Sequence, residues 1–220
     1  MIDYFSLGHP LASLRSRYAL KARQRMFEVF MQSLRPTAAE RVLDLGITPD
    51  ESLPESNFFE QFYPHRKNLT AASIEDAAAI ERRFPGVKFA RITADKLPFP
   101  DDHFDLVFCS AVVEHVGDRE SQRRFILEAL RVARRFFFTT PNRIFPMEFH
   151  TLIPLIHWLP QGSHQALLRA MGMDFWAQTA NLNLLTPGSM RSLFPPCADL
   201  SVRSLRLFGW PSNIIVYGRR

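Results

Sequence analysis

Short apolar runs alternate with longer amphipathic stretches through the middle of the chain. The runs occupy residues 42–45, 69–74, 87–90, 106–109 and 136–139. Before the last run, apolar residues recur at helical spacing after a break at Gly117, with Ile126, Ala129 and Leu130 on one face. Strands that alternate with helices form βαβ units. The pattern therefore predicts an α/β fold with a doubly wound, mostly parallel sheet.

Both ends of the chain carry further elements. One helical stripe in residues 11–34 is formed by Phe27, Phe30, Met31 and Leu34. The stripe ends at Arg35 and Pro36, which predicts an N-terminal helix that covers the domain. Residues 200–208 and 213–217 are strand-like, and residues 209–212 between them predict the turn of an antiparallel hairpin.

Residues 145–196 have a different texture, because prolines interrupt their apolar helical stretches. The prolines are Pro146, Pro154, Pro160, Pro187, Pro195 and Pro196. This spacing predicts an inserted helical lid rather than a part of the sheet.

The composition narrows the class of protein. With 220 residues and 46% apolar content, the chain is long enough for one sizeable core, which indicates a single domain. A formal charge of +5 would suit an anionic partner, such as nucleic acid or a membrane face. The basic residues are scattered in pairs at most, however, so a solvated surface is the favoured interpretation.

The cysteines and the apolar runs indicate where the protein works. Cys109 and Cys197 are the only cysteines, with neither a CxxC motif nor a His/Cys grouping at metal-ligand spacing. We therefore expect no disulfide framework and no metal site. The start of the chain lacks the pattern of a secretory signal, and no apolar run approaches the roughly eighteen residues of a membrane span. We expect a cytoplasmic protein that contacts a membrane at most peripherally.

The first apolar run ends in a glycine, as a sharp turn close to a ligand requires. Residues 42–46, VLDLG, resemble the first motif of class I S-adenosylmethionine-dependent methyltransferases, usually VLDLGCGTG, with Asp44 as its acidic residue and Gly46 as its first glycine. Thr48 and Asp50 stand where the family has its next two glycines. They either address the amino and carboxylate groups of the methionine moiety or cap the turn.

The second run ends near Glu75, where the resemblance implies an acidic side chain that accepts hydrogen bonds from the two ribose hydroxyls. The spacing from Asp44 to Glu75 exceeds the roughly twenty residues expected, and the extra length falls in residues 54–60. The alternative is that Glu75 is a solvated carboxylate at a helix N-terminus.

Residues 93–105, TADKLPFPDDHFD, closely resemble the DAxxLPFPDxSFD stretch of the methyltransferase group called type 11. The resemblance implies that Thr93 and Ala94 lie against the adenine, where the family has an Asp-Ala pair. Asp95 follows two positions after Thr93. The role of the acid that binds the exocyclic amine stays open between Thr93 and Asp95.

Two more segments resemble this family at strand ends that face the pocket. Residues 108–116 resemble its "S.vleHv" segment, so Ser110 to His115 are expected to line the pocket. His115 either removes a proton from a hydroxyl nucleophile or is structural. Residues 139–143, TTPNR, resemble methyltransferases of ubiquinone and small-molecule O-methylation, and Glu148 and His150 follow as second candidates for substrate binding or base catalysis, or as lid anchors.

The resemblance implies a Rossmann-like, seven-stranded domain that uses S-adenosylmethionine to methylate a small-molecule acceptor, most simply on oxygen. It divides the single domain into a helical cap (1–36), a cofactor-binding core (37–144), a lid or substrate region (145–197) and a closing hairpin (198–220). The apolar lid favours an acceptor that is partly apolar or lipid-linked, although these side chains also suit ordinary lid packing. They are Leu152, Ile153, Leu155, Ile156, Trp158, Leu159, Leu167 and Leu168.

Two other functions compete with this interpretation. The lost glycines and the missing acid at the adenine site would suit a catalytically silent protein that binds a partner. Charge alone suggests nucleic-acid methylation. Residues 110–113 are SAVV rather than the Asn/Asp-Pro-Pro-Tyr/Phe tetrapeptide of amino-methylating enzymes that act on flipped bases, which argues against a nucleic-acid substrate.

Overall fold

A computed structural model describes residues 12–50, 55–94, 96–196 and 199–220, with residues 12–15 described by their backbone alone. The α-helices of this part of the chain are α1 (Ala12–Leu34), α2 (Phe58–Phe62), α3 (Ile80–Arg83), α4 (Arg119–Val132), α5 (Gln161–Ala170) and α6 (Pro187–Arg191). The strands are β1 (Val42–Leu45), β2 (Leu69–Ser73), β3 (Lys88–Arg91), β4 (Phe104–Ser110), β5 (Ala133–Pro141), β6 (Ser201–Leu207) and β7 (Trp210–Arg219). Short 3-10 helices lie at Arg66–Asn68, Val113–His115 and Ile156–Trp158.

The seven strands form one sheet in the order β3-β2-β1-β4-β5-β7-β6. The first five pair in parallel, whereas β7 pairs antiparallel with both β5 and β6. The sheet reverses its winding at β1, because the chain moves outward to β2 and β3 and then returns to β4. The predicted doubly wound, mostly parallel sheet with a C-terminal antiparallel hairpin is confirmed.

Side chains of the central strands are buried on both faces of the sheet, as they are in parallel sheets covered by helices on each side. On β5, Phe136 and Phe138 pack into one layer with residues of α4 and α6. Phe137, between them, points to the opposite layer and packs with residues of α1, α2 and α3. Consecutive phenylalanines therefore serve two separate cores, which is why this run has no polar alternation.

Helix α1 is fixed to the sheet through Phe30, which is fully buried. The Phe30 ring lies 5.1 Å from that of Phe59 and 5.4 Å from those of Phe108 and Phe137, each in edge-to-face geometry. The helix ends where Arg35 takes a left-handed φ of 44°, ahead of Pro36. The predicted apolar stripe is confirmed, since it carries this contact.

Helix α4 begins as the sequence predicts. Asp118 caps it by accepting a hydrogen bond from the backbone N–H of Ser121 at 2.8 Å, and Gly117 takes a positive φ of 100° just before it. Ile126, Ala129 and Leu130 are buried against the sheet. Helices α2 and α3 are much shorter, five and four residues.

The turn of the C-terminal hairpin is not where the sequence pattern put it, and that prediction was wrong. The strands are joined by Phe208 and Gly209, both with positive φ (51° and 83°), and β7 already begins at Trp210. Two consecutive positive φ angles suit a two-residue hairpin turn, because their twist matches that of the strands. Pro211 is accommodated within β7 because the register shifts at Leu205 and Arg206, opposite it.

Among its described residues, the segment between β5 and β6 adds no strand to the sheet. It contains α5 and α6 and a small core of its own, formed by Leu168, Trp176, Ala177 and Leu182. Its apolar side chains divide between two environments: Leu168 is fully buried, whereas Leu155, Trp158 and Leu159 are between 41 and 49% exposed. None of the helices that the structure describes has the length and apolar character needed to span a membrane.

We predict that Phe30→Ala lowers the free energy of unfolding by roughly 3–5 kcal/mol, because it leaves a cavity among three aromatic rings. Urea denaturation measures the change. Phe27→Ala is the matched control, since Phe27 lies on the same helix and is only half-buried. Equal losses in the two variants would contradict the role of Phe30 as the main anchor of α1.

Candidate active site

The carboxyl ends of β1 to β5 meet at one edge of the sheet, where ligands of open α/β sheets bind. Two adjoining cavities open there, one of about 720 Å³ and one of about 450 Å³. Both cavities are lined by Gly46, Ile47, Thr48, Ala111 and His115. A ligand that extends from one cavity into the other must therefore pass along this shared wall.

Gly46 is required by the geometry of this wall. Its φ is 101°, and a Cβ built on it would lie 2.2 Å from Cγ2 of Val112, well inside contact distance. The backbone N–H of Gly46 donates to the carbonyl of Ala72 at 2.8 Å, which holds the loop against β2. The predicted close approach at Gly46 is thus an approach to the segment that follows β4.

The loop after Gly46 is held by an asparagine that the sequence analysis missed. The side chain of Asn57 accepts a hydrogen bond from Thr48 N–H at 3.1 Å and donates to the Thr48 carbonyl at 2.9 Å. The Thr48 hydroxyl accepts from the backbone N–H of Asp50 at 3.1 Å, as expected of a residue that caps a turn. Thr48 and Asp50 also line the smaller cavity, so both predicted roles stay open for them.

Asp44 lines the smaller cavity and forms a buried carboxyl pair with Glu60 of α2. Glu60 is fully buried and Asp44 is 6% exposed. Burial and the neighbouring carboxylate raise the pKa of Asp44, and burial raises the pKa of Glu60 to about 7. Because only a protonated carboxyl group can donate a hydrogen bond, a proton held by one of the two would let it donate to the other. Glu60 was not a sequence candidate, since nothing in residues 54–60 marks it as buried.

The larger cavity contains the other candidates for cofactor binding. Glu75 follows the end of β2, and Thr93 and Ala94 follow β3; all three are exposed and line this cavity. The Thr93 hydroxyl donates to the carbonyl of Lys96 at 3.1 Å, so it also holds the turn. Asp95 lies outside the described residues.

Ser110, His115 and His150 all line the smaller cavity. The Ser110 hydroxyl is 2.8 Å from that of Thr139 on β5. His115 Nδ1 donates to the carbonyl of Asn181 at 2.7 Å, because a carbonyl can only accept, and this assigns the tautomer. The rings of His115 and His150 lie 4.8 Å apart, edge to face, and burial lowers the pKa of His115.

Glu148 lies behind His150 rather than in the cavity wall. Its carboxylate is 3% exposed and accepts hydrogen bonds from His150 Nδ1 at 2.6 Å and from the backbone N–H of Thr151 at 2.6 Å. Burial alone would raise the pKa of Glu148, but the hydrogen bonds and charge of His150 lower it to about 2. The carboxylate therefore fixes the orientation of the His150 ring. These contacts agree with both predicted roles of Glu148 and His150, namely substrate binding or base catalysis and anchoring of the lid, because the same hydrogen bonds orient the His150 ring and hold this segment in place.

Within the described residues, one group has the composition of a metal site: Glu114, His115 and His150 each place a ligand atom within 4.8 Å of the others. The sequence shows no metal-ligand spacing, because His150 follows His115 by 35 positions and joins it only through the fold of the segment after β5.

Comparison with known proteins agrees with this architecture. Residues 57–135 match the family model described as a methyltransferase domain, which confirms the resemblance to the type 11 methyltransferase group over that segment. The chain is 29% identical over 141 residues to a ubiquinone biosynthesis O-methyltransferase of Rhizobium etli, covering 61% of this chain and 55% of that protein. It is 29% identical over 100 residues to the uncharacterised methyltransferase YcgJ of Bacillus subtilis, covering 45% and 40% of the two chains. The chain thus spans about half the length of the curated relatives it matches.

Among solved structures, the N-methyltransferase NodS from Bradyrhizobium japonicum WM9, in complex with S-adenosyl-L-homocysteine, has the same fold. The two structures superpose with a TM-score of 0.53 and 16% sequence identity, over 90% of this chain and 86% of that one.

We predict that Gly46→Ala lowers the free energy of unfolding by roughly 2–4 kcal/mol, because it forces a clash with Val112 and a strained positive φ. Val112→Ala removes the clashing methyl groups but not the strain. The two changes together should therefore cost less than the sum of their separate costs, as measured by urea denaturation in a double-mutant cycle. Additive losses would show that the contact does not limit residue 46.

We predict that Glu60→Gln flattens the pH dependence of stability between about pH 4.5 and 7. The folded pKa of Glu60, about 7, lies above its ordinary 4.5, so the folded state binds this proton more tightly. Its contribution is complete below about pH 4.5 and is lost as the pH rises through 7, a loss of roughly 3 kcal/mol at 1.36 kcal/mol per unit. Urea titrations at several pH values measure it, with the exposed Glu120→Gln as the control. An unchanged pH slope in Glu60→Gln would contradict the prediction.

Proposed function

We propose that this methyltransferase-type domain transfers a methyl group from S-adenosylmethionine to a hydroxyl oxygen of a small, partly apolar acceptor. The observation that carries the proposal is the pair of adjoining cavities at the carboxyl edge of the sheet, joined by a wall that contains Gly46 and His115. A cofactor in one cavity and an acceptor in the other would bring the sulfonium methyl and the hydroxyl together at that wall.

In this proposal the adenosine occupies the larger cavity. Glu75, exposed at the end of β2, would accept hydrogen bonds from the ribose hydroxyls, and Thr93, Ala94 and Asp95 would border the adenine. The methionine end would reach past Gly46 toward Asp44, whose carboxyl faces the smaller cavity. Thr48 and Asp50 would complete its surroundings. The R. etli relative is an O-methyltransferase by name, and NodS holds the demethylated cofactor, which supports this assignment by similarity.

The smaller cavity suits the acceptor because its walls are largely aromatic and aliphatic. Its apolar lining includes Tyr18, Met26, Phe58, Phe108, Phe149 and Trp176. Tyr18 and Met26 come from α1, and Phe149 and Trp176 come from residues 145–197, which we propose as a lid. The exposed Leu155, Trp158 and Leu159 of the same segment support an acceptor that is delivered from a lipid surface.

Methyl transfer requires that the acceptor oxygen be aligned with the S–C bond and that the hydroxyl lose one proton. A lone pair of the acceptor oxygen forms the new O–C bond in line with the breaking S–C bond, whose electron pair stays on sulfur and leaves S-adenosylhomocysteine. The hydroxyl proton is lost to solvent. His115 and His150 line the same cavity, where an imidazole nitrogen would assist the departure of the hydroxyl proton. Glu148 is a positioning residue that acts through His150.

Isothermal titration with S-adenosylmethionine and S-adenosylhomocysteine tests the cofactor assignment. We expect saturable binding of both, weakened roughly 10- to 100-fold by Glu75→Ala through the loss of two hydrogen bonds to a carboxylate. Asp76→Ala is the matched control, because Asp76 accepts a bond from the neighbouring Ala78 N–H and does not line either cavity.

Each outcome of the titration has a consequence. Binding that Glu75→Ala weakens and Asp76→Ala preserves justifies a screen of amphipathic hydroxyl compounds with radiolabelled cofactor. Failure of both ligands to bind would reject the enzyme and favour a catalytically silent protein that binds a partner. Transfer of label to RNA or DNA in preference to small acceptors would favour the nucleic-acid alternative.

A further inference from the structure

Three side chains beside the smaller cavity have the composition of a metal-binding site: two of them, His115 and His150, line the cavity, and the third, Glu114, is buried next to them. Glu114 and His115 belong to the 3-10 helix after β4, and His150 belongs to the segment after β5. One ligand atom of each lies within 4.8 Å of the others, and His115 Nε2 is 3.9 Å from Glu114 Oε1. Two imidazoles and one carboxylate form a donor set that suits zinc and other divalent transition metals.

Both histidines are already oriented as metal ligands usually are. A metal-bound histidine almost always donates its other ring N–H to a carbonyl or a carboxylate, which fixes the tautomer. His115 Nδ1 donates to the Asn181 carbonyl at 2.7 Å, and His150 Nδ1 donates to Glu148 at 2.6 Å. In each ring the nitrogen directed to a metal would be Nε2. Glu148 and Asn181 thus supply the outer contacts that ligand sites require.

Glu114 adds an independent observation. Its carboxyl group is fully buried, and Oε2 accepts a hydrogen bond from the Thr140 hydroxyl at 2.9 Å. Oε1, on the side of His115, has no hydrogen-bond partner among the described residues. A buried carboxylate oxygen without a donor costs several kcal/mol unless a cation or a proton compensates it. A metal ion held with His115 and His150 would compensate this oxygen directly.

We propose that Glu114, His115 and His150 bind one divalent transition-metal ion, with zinc as the reference metal. Bonds of about 2.0–2.2 Å place ligand atoms roughly 3–3.5 Å apart, so ligand atoms as far as 4.8 Å apart must close by up to about 1.3–1.8 Å on binding. Metal binding itself does not depend on the proposed methyl transfer. A role of the ion in catalysis, in contrast, rests on the proposed function. An ion with an open position toward the smaller cavity would bind the acceptor hydroxyl and lower its pKa, and the released proton would pass to solvent.

The test measures metal binding directly. The purified chain is dialysed against a chelator and titrated with Zn²⁺ by calorimetry and with Co²⁺ by visible absorption, whose intensity reports the coordination geometry. We expect one equivalent of metal and an intense, low-symmetry Co²⁺ spectrum. Because loss of an outer contact alone costs 10–100-fold in affinity, Glu114→Gln and His150→Ala should each weaken binding at least 10-fold. His103→Ala, which removes a histidine outside the cluster, should leave binding unchanged.

The outcomes separate this inference from the proposed function. Absence of metal binding, or equal affinity in the wild type, Glu114→Gln and His150→Ala, overturns the site. If Glu114→Gln fails to fold, as circular dichroism would show, His150→Ala decides alone. Metal binding without binding of S-adenosylmethionine supports the site and rejects the proposed enzyme. Cofactor binding without metal binding rejects the site and leaves the proposed enzyme standing.

Discussion

Parallel pairing fixes β1 between β2 and β4, with Asp44 opposite Ala71 on one side and Phe108 on the other. In this register the loop after β1 and the segment after β4 leave the sheet side by side. Gly46 therefore passes so close to Val112 that a side chain at position 46 has no room. Because Gly46 and Ala111 line both cavities, this contact sets the shape of each. Most of the other candidate site residues line one or the other of the two cavities that share this wall.

Much of the sheet can be predicted from sequence because its determinants are local. A strand buried on both faces appears as an uninterrupted apolar run, and the run containing Phe136, Phe137 and Phe138 could not occur on a half-exposed strand. The stripe around Phe30 is equally local, since helical period alone brings its residues to one face. Gly46 is predictable for the same reason: a buried strand that ends in glycine identifies the turn next to a ligand.

The groups that escaped prediction depend on partners distant in sequence. Glu60 is buried because α2 packs it under β1 beside Asp44, and nothing within its own segment distinguishes it from a surface carboxylate. His150 meets His115 only because the chain after β5 folds back across the cavity. The hairpin turn was misplaced for a different reason: Pro211 and Gly209 both suggest a turn, and only the register shift opposite Pro211 decides between them.

The loop after Gly46 shows how a chain without the usual glycines can still turn tightly. Glycine allows left-handed backbone angles at little steric cost. Here Asn57 itself takes a left-handed φ of 52°, and its side chain satisfies both the N–H and the carbonyl of Thr48. The hydrogen bonds of the Asn57 side chain thus stabilise a turn that, in loops with more glycines, the conformational freedom of glycine allows. One consequence is chemical: where glycines would expose bare backbone, the smaller cavity is lined by two residues with polar side chains, Thr48 and Asp50.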